Sequence, residues 1–538
     1  MRKLRIIVTL MMAIIMVLPA VSTVYAAQVA RPNAGQMGFF GGITEGVRLP
    51  TTSQQAALQT NARGRGNNVT EMMYKEIIWL GGIPVEFEGT LRIQTGGTAV
   101  GAAGEESGSA TVNYRVNGNG VADASDASIT RNITFRVDWR RDGQQIVENY
   151  TVTSWTETIS ANGVTYNLIP GQSNHNISIL RDVTPGVTYY SGTISMRAVY
   201  NATQPTDTDE GDDVTWTVTH EVLGQIYGFV SAWSATETHR LDGIVSTDAW
   251  QMQYHLVPSV SVSKELQYGE NEPTLISFAG NYREVMSNQS GLVYEINTLP
   301  NILYGIETTG GATISTFNAF EDLFAPNLNF LRGHAAYGDI RRLFAMEVLT
   351  GEPVHFIPNQ AVTRGEYIMM LARAVRMPLN ETLMPQPPRR GRSNNQPEMN
   401  LVFPDVNPDR PDFLYIMTVN DMGIAIGRGD GHFHPNEILH REEAFVLALR
   451  FLGLSNLGLE PTPITPFVDD HIIGDWARRD IYAAARIGLI GPDENGMLHP
   501  RETMHKAEAA ALINRLIEFM RHELQQDYTE NIINFMNN

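Results

Sequence analysis

The sequence predicts a chain in two unlike parts: an all-β body over about 72–310, built as an antiparallel sandwich or elongated sheet, and an all-α region from about 318. Three observations carry this. Residues 133–139 alternate apolar Ile133, Phe135, Val137 and Trp139 with polar Thr134, Arg136 and Asp138, the period of a strand with one buried face. Beyond Thr308-Thr309-Gly310-Gly311 the apolar residues change to helical spacing. From there on, the chain also repeats itself.

Bulk composition sets the frame. A chain of 538 residues is too long for one hydrophobic core, so it divides into domains. Its net charge of −19 excludes general nucleic-acid binding, which needs a basic surface to release counterions. Any anionic ligand must then be held by a few local cations. There is no cysteine, which removes disulfides, thiolate chemistry and Cys-based zinc sites.

Arg2, Lys3 and Arg5 precede an apolar run over 6–18, and small residues lead to Ala26. That order is a secretory signal peptide, 1–26, cleaved after Ala26; a retained anchor is the competing reading, and the run is short for a span. No later segment is long and apolar enough to cross a bilayer, so an exported protein with no membrane span is expected. Residues 27–71, rich in Gly, Asn, Gln and Thr, read as a loosely ordered lead-in.

Within 72–310 the alternating stretch ends at Asp142-Gly143, a turn signal, and "IVENYTVTSWTETI" returns as its partner. Further strands are expected over 187–200, 214–222 and 250–263. Trp139, Trp155 and Trp216 read as core, with a carbohydrate platform as the competing reading. The loop carrying Asp207, Asp209, Glu210, Asp212 and Asp213 is oxygen-rich enough for Ca²⁺ but lacks the EF-hand spacing; a solvated acidic loop is the simpler reading. No Gly-x-Ser-x-Gly, His-Glu-x-x-His or phosphate loop is present, so no catalytic constellation is assigned.

Three segments of the second half align. They run over 318–378, 401–456 and 465–522, with a Pro/Arg-rich loop at 379–400 and a tail at 523–538. Each offers Phe-x-Asp ("FEDL", "FPDV", "FVDD"), a helix, a Gly-containing turn, a short x-Pro segment and a second helix. The second helices open on Thr363-Arg364-Gly365-Glu366, His440-Arg441-Glu442-Glu443 and His505-Lys506-Ala507-Glu508. Thr followed three residues later by Glu is a capping box, and glutamate favours a helix N-terminus. The face Ile368, Leu371, Ala372 and Val375 is core, and Trp476 reads most simply as core too. A cation on the first turn opposes the helix dipole. Beside free backbone amides it would suit a carboxylate, and its competing role is to pair with an acid such as that of Phe-x-Asp.

This pattern resembles the S-layer homology (SLH) domain, whose signature is Phe-x-Asp, Trp-Ala, a closing Gly-Ile-x-x-Gly, Phe-x-Pro and Thr-Arg-Ala-Glu. Asp322, Asp405 and Asp469 fill the Asp position, and Gly351, Gly427 and Gly491 the closing glycine. Trp476 matches the tryptophan, where the other copies have Ala335 and Pro411. The resemblance implies a pseudo-threefold all-α trio that binds secondary cell-wall polysaccharide, often pyruvylated, in grooves between repeats. It implies that Arg364, Arg441 and Lys506 hold the polymer's carboxylate, within a groove region that also includes these Asp and Gly positions and Trp476. The expected protein is thus a non-enzymatic, wall-anchored surface component, self-assembling in a lattice or a minor wall protein. An SLH-anchored polysaccharide-acting enzyme and a carbohydrate-binding adhesin are the alternatives.

Overall fold

The computed structural model describes residues 37–46, 49, 68–97, 100, 105–121, 124–206, 213–269, 280–298, 308–380, 383–384, 402–459, 461 and 464–528. The leader 1–26, residues 385–398 and the tail beyond 528 lie outside them, as do Asp207, Asp209, Glu210 and Asp212 of the acidic loop.

Among the described residues fourteen strands form one antiparallel sheet. They are β1 (Ile43–Thr44), β2 (Asn68–Ile78), β3 (Val85–Gly97), β4 (Ser107–Gly120), β5 (Ser128–Asp142), β6 (Gln145–Ala161) and β7 (Val164–Leu168). There follow β8 (Asn174–Val183), β9 (Val187–Gln204), β10 (Val214–Ser231), β11 (Ser234–Ser246), β12 (Gln251–Gly269), β13 (Asn281–Thr298) and β14 (Thr309–Phe324). Neighbours in sequence pair throughout, except that β7 and β8 share the gap between β6 and β9 as one interrupted strand. The expected Asp142-Gly143 turn joins β5 to β6, with Asp142 opposite Gln145 and Gly143 at φ 58°.

The sheet curls on itself around residues 37–46. Phe39 packs edge-on against Tyr114 of β4 and Tyr150 of β6 and lies parallel to the His239 ring of β11. One side chain can touch strands so far apart in sheet order only if the sheet wraps around it. Met37 and Ile43 are fully buried in the same core, and Trp79, just after β2, stacks on Tyr254 of β12 at 4.1 Å. The lead-in is therefore not loosely ordered where it is described: its apolar residues fill the curl.

The inward face carries ionic as well as apolar side chains. Arg131 on β5 grips Glu76 at 2.7 Å and Glu157 at 2.7 Å, and Arg181 pairs with Glu148, all five acids and bases being buried. Each charge has its partner in the low-dielectric interior, which the cost of desolvation demands. Trp139 and Trp155 are core, as expected, and Trp216 is half-buried.

The helical half holds α1 (Tyr337–Ala345), α2 (Arg364–Ala374), α3 (Phe413–Asp421), α4 (Arg441–Phe451), α5 (Asp475–Arg486) and α6 (Lys506–Glu518), the last running into a wide π turn over Phe519–Glu523. The boundary lies later than the sequence suggests. β14 continues to Phe324, so 318–324 belongs to the sheet, where Asn318 and Phe324 pair with Met286 and Asn281 of β13.

Both halves share one apolar core in which Trp233, Phe229 and Tyr282 meet the helices. The inner helices end against the sheet. Trp233 Nε1 donates to the Ala374 carbonyl at 2.8 Å, Gly186 N to Phe451 O at 2.8 Å, Tyr189 Oη to Leu452 O at 2.9 Å, and Ser234 Oγ to Met520 O. The first three satisfy carbonyls that a helix C-terminus leaves without partners. The N-termini of α2, α4 and α6 consequently point away from the sheet, about 16 Å off for an eleven-residue helix.

Candidate functional site

The three inner helices start in a ring. Val362 N donates to Met504 O, Met504 N to Leu439 O, and Leu439 N back to Val362 O, at 2.9, 2.9 and 3.0 Å. The next turn repeats the rule. Arg364 and Gly365 donate to Glu437 and Pro435; Arg441 and Glu442 to Glu502 and Pro500; Lys506 and Ala507 to Gln360 and Pro358. This corrects one expectation: the first-turn amides are not free for an anion, because carbonyls of the neighbouring segment occupy them. Any carboxylate held here would be held by side chains.

The cations sit at equivalent places in this ring. Arg364 donates to Ile426 O at 2.8 Å, lies 4.7 Å over the Phe433 ring and stands 3.7 Å from Glu443. Arg441 donates to Leu498 O at 3.1 Å and pairs with Glu508. Lys506 stands 3.7 Å from Glu366. Each cation thus faces the capping glutamate of the next helix around the ring. Those glutamates also close their own helix starts: Glu366, Glu443 and Glu508 accept the amides of Thr363, His440 and His505 at 3.1, 3.1 and 3.0 Å. Burial, with Arg428 nearby, pulls the Arg364 guanidinium below its ordinary value, against the opposing pull of Glu443.

The Phe-x-Asp aspartates have a different task from the cations. Asp405 accepts Phe433 N at 3.0 Å and His434 N at 2.7 Å; Asp469 accepts Leu498 N at 2.8 Å and His499 N at 2.7 Å. They brace the turn before each second helix, where His434 and His499 adopt φ of 58° and 57°. Asp405 is held below the usual carboxylate range: burial pushes it up, and those two amides outweigh it. Asp322 does none of this. It lies on β14 and pairs with Arg283 of β13 at 2.7 Å, so its placement in the groove region is corrected, since the strand claims that stretch first.

Gly427 packs where a Cβ would meet the His432 carbonyl at 2.5 Å, whereas Gly351, at φ 94°, and Gly491 border open space. The reading of Trp476 as core fails. Its side chain is 53% exposed on the first turn of α5, its indole nitrogen beside Gly474. Gly474 N in turn donates to Glu442, the neighbour of Arg441, at 3.0 Å. An exposed aromatic face is thus linked to the first turn of α4 through Gly474 and Glu442. Arg428, which reaches both Glu437 and Glu443 at 2.8 Å, was not legible in the sequence because it lies outside the aligned motifs. Of the acidic loop only Asp213 is described; among the described residues no group of three metal-ligating side chains gathers.

Fold and site together define a β body fused to a ring of helix pairs that offers cations on its outer end. The S-layer homology domain model matches residues 402–445 and 466–510. The chain is therefore a protein with S-layer homology domains; such domains anchor proteins at the cell-wall surface, and there it belongs. Among curated relatives, an amylopullulanase of Thermoanaerobacterium thermosulfurigenes is 28% identical over 216 residues, 40% of this chain and 10% of that protein. The exoglucanase XynX of Acetivibrio thermocellus is 26% identical over 199 residues, and an endoglucanase of Bacillus sp. (strain KSM-635) 24% over 182. Those two matches cover 35% and 33% of this chain and 17% of each relative, so only a small part of each relative's length is shared.

Proposed function

We propose that the chain is an exported structural protein of the cell surface. Three SLH segments closed as a pseudo-threefold trio hold it non-covalently to secondary cell-wall polysaccharide, and they display the β body as an S-layer or S-layer-associated component. The observation that carries this reading is the recurrence of Arg364, Arg441 and Lys506 at one position in each of three ring-linked helix starts. A first-turn cation works against its own helix dipole, and three such choices in register favour a common anionic ligand. The segment before 378 lies outside the family matches, yet it supplies Arg364, the Thr363–Glu366 box and one side of the ring.

The groove at Arg441 is the best equipped. Both its walls lie in matched residues, and Trp476 offers a face on which a sugar ring can stack. A polymer carboxylate would take the guanidinium while the sugar lies on the indole. Lys506 brings a point charge in place of a fork, so its groove should bind most weakly. A test is cosedimentation with wall sacculi that retain or lack the polymer, using Arg441→Ala and Trp476→Ala. Binding should weaken with each and depend on the polymer.

The names of the three relatives favour a second reading, an SLH-anchored polysaccharide-acting enzyme. The paired carboxylates Glu76 and Glu157 do not support it, being sealed in the core and tied to Arg131. Release of reducing sugar from soluble glucans by the purified chain would establish that reading.

A further inference from the structure

We propose, resting on the groove reading above, that the capping glutamate of each following helix is a built-in competitor for the groove cation, and that Arg428 relieves this competition at Arg364. In the Arg441 groove Glu508 is ion-paired with the guanidinium, so a carboxylate already sits where the ligand's would. In the Lys506 groove Glu366 stands 3.7 Å away. In the Arg364 groove the equivalent Glu443 is drawn to Arg428 at 2.8 Å and stays 3.7 Å from Arg364, whose Nε has no hydrogen-bond partner.

The difference is written in one position. After the closing glycines Gly351, Gly427 and Gly491 come Glu352, Arg428 and Pro492. Only the middle copy supplies a second cation to hold the glutamate aside. A polymer entering the Arg441 groove must exchange one carboxylate for another, so the gain from charge alone is small. It needs further contacts, such as stacking on Trp476, to win. The competitor thereby filters ligands: a bare monocarboxylate is rejected, and a carboxylate presented on a sugar is accepted. At Arg364 the glutamate is shared with Arg428, so it competes less for the cation and that groove should be the less selective.

Glutamine is tolerated at the third helical position of a capping box, so Glu508→Gln removes the charge while keeping an acceptor for the His505 amide. The full-length chain is titrated with polymer-bearing sacculi, thermal melts showing that each variant is folded. Glu508→Gln should bind about two- to fivefold tighter, the scale of a partly exposed ion pair. Arg441→Ala should bind more weakly. If Arg441→Ala weakens binding but Glu508→Gln leaves it unchanged or weaker, the competitor idea is wrong and the groove reading stands. If neither changes binding, both fall. Arg428 is tested by a cycle: Arg428→Ala should weaken binding, and adding Glu443→Gln should restore it. A double variant that stays weak means Arg428 touches the ligand itself, which overturns its role as a reliever.

Discussion

Arg441 reaches across the ring to Glu508, the residue that caps the next inner helix, so the same carboxylate both starts a helix and neutralises the neighbouring segment's cation. The relationship recurs as Arg364–Glu443 and Lys506–Glu366. It ties each helix start to the cation of the neighbouring segment.

The aspartates of the two matched repeats should separate sharply from Asp322. Asp469 is almost wholly buried and takes two backbone amides, so Asp469→Ala leaves both without an acceptor. A loss of about 2–4 kcal/mol in denaturant unfolding is expected. Asp322→Ala breaks a partly exposed pair with Arg283 and should cost less than about 1 kcal/mol. Equal losses would show that Asp322 braces a turn as the other two do.

His175 makes folding sensitive to acid. Burial, then the charges of Arg131 and His239, pushes its ring down to about 3, and neither ring nitrogen has a hydrogen-bond partner. The unfolded chain takes up that proton near pH 6.5, so between pH 6.5 and 3 the unfolded state binds more protons and stability falls as pH falls. Above pH 6.5 the residue contributes no pH dependence. The full window corresponds to roughly 5 kcal/mol. His175→Phe should flatten the acid limb of the stability curve measured by urea titration; an unchanged limb would assign the sensitivity elsewhere.

Trp233 joins the two halves. It is buried between Lys264 and Arg376, both within cation–π range, and donates to the end of α2. Burial, then Arg376, pushes Lys264 well below its ordinary value, while Arg376 pairs with Glu284. Trp233→Ala should cost about 3–5 kcal/mol and split one calorimetric transition into two. A single, shifted transition would mean the halves stay coupled through the other helix ends.

Much of this was legible in the residues. Alternation gave the strands, Asp142-Gly143 gave a hairpin, and the repeat gave the helix starts, because each depends on local pattern. The curl was not legible, since it depends on Met37, Phe39 and Ile43 finding strands more than a hundred residues away. Arg131, Glu148 and Glu157 also occupy inward positions that a hydrophobic pattern reads as outward. "FEDL" matched the motif by letters, but its neighbours made it a strand. The place of the three cations on the first helical turns is legible from position alone; their glutamate partners are not, because those lie one segment away. Trp476 looked like core because tryptophan usually is, and only its place on an exposed first turn reveals the open face.

The most direct test of the anchor is cosedimentation of the Arg364→Ala/Arg441→Ala double variant with polymer-bearing sacculi. Two of the three first-turn cations are then gone while Thr363–Glu366 and the ring remain. Retention should fall at least about tenfold, a little over 1 kcal/mol, with the fold intact by circular dichroism. Retention equal to wild type, and equal on sacculi stripped of polymer, would contradict anchoring through these cations.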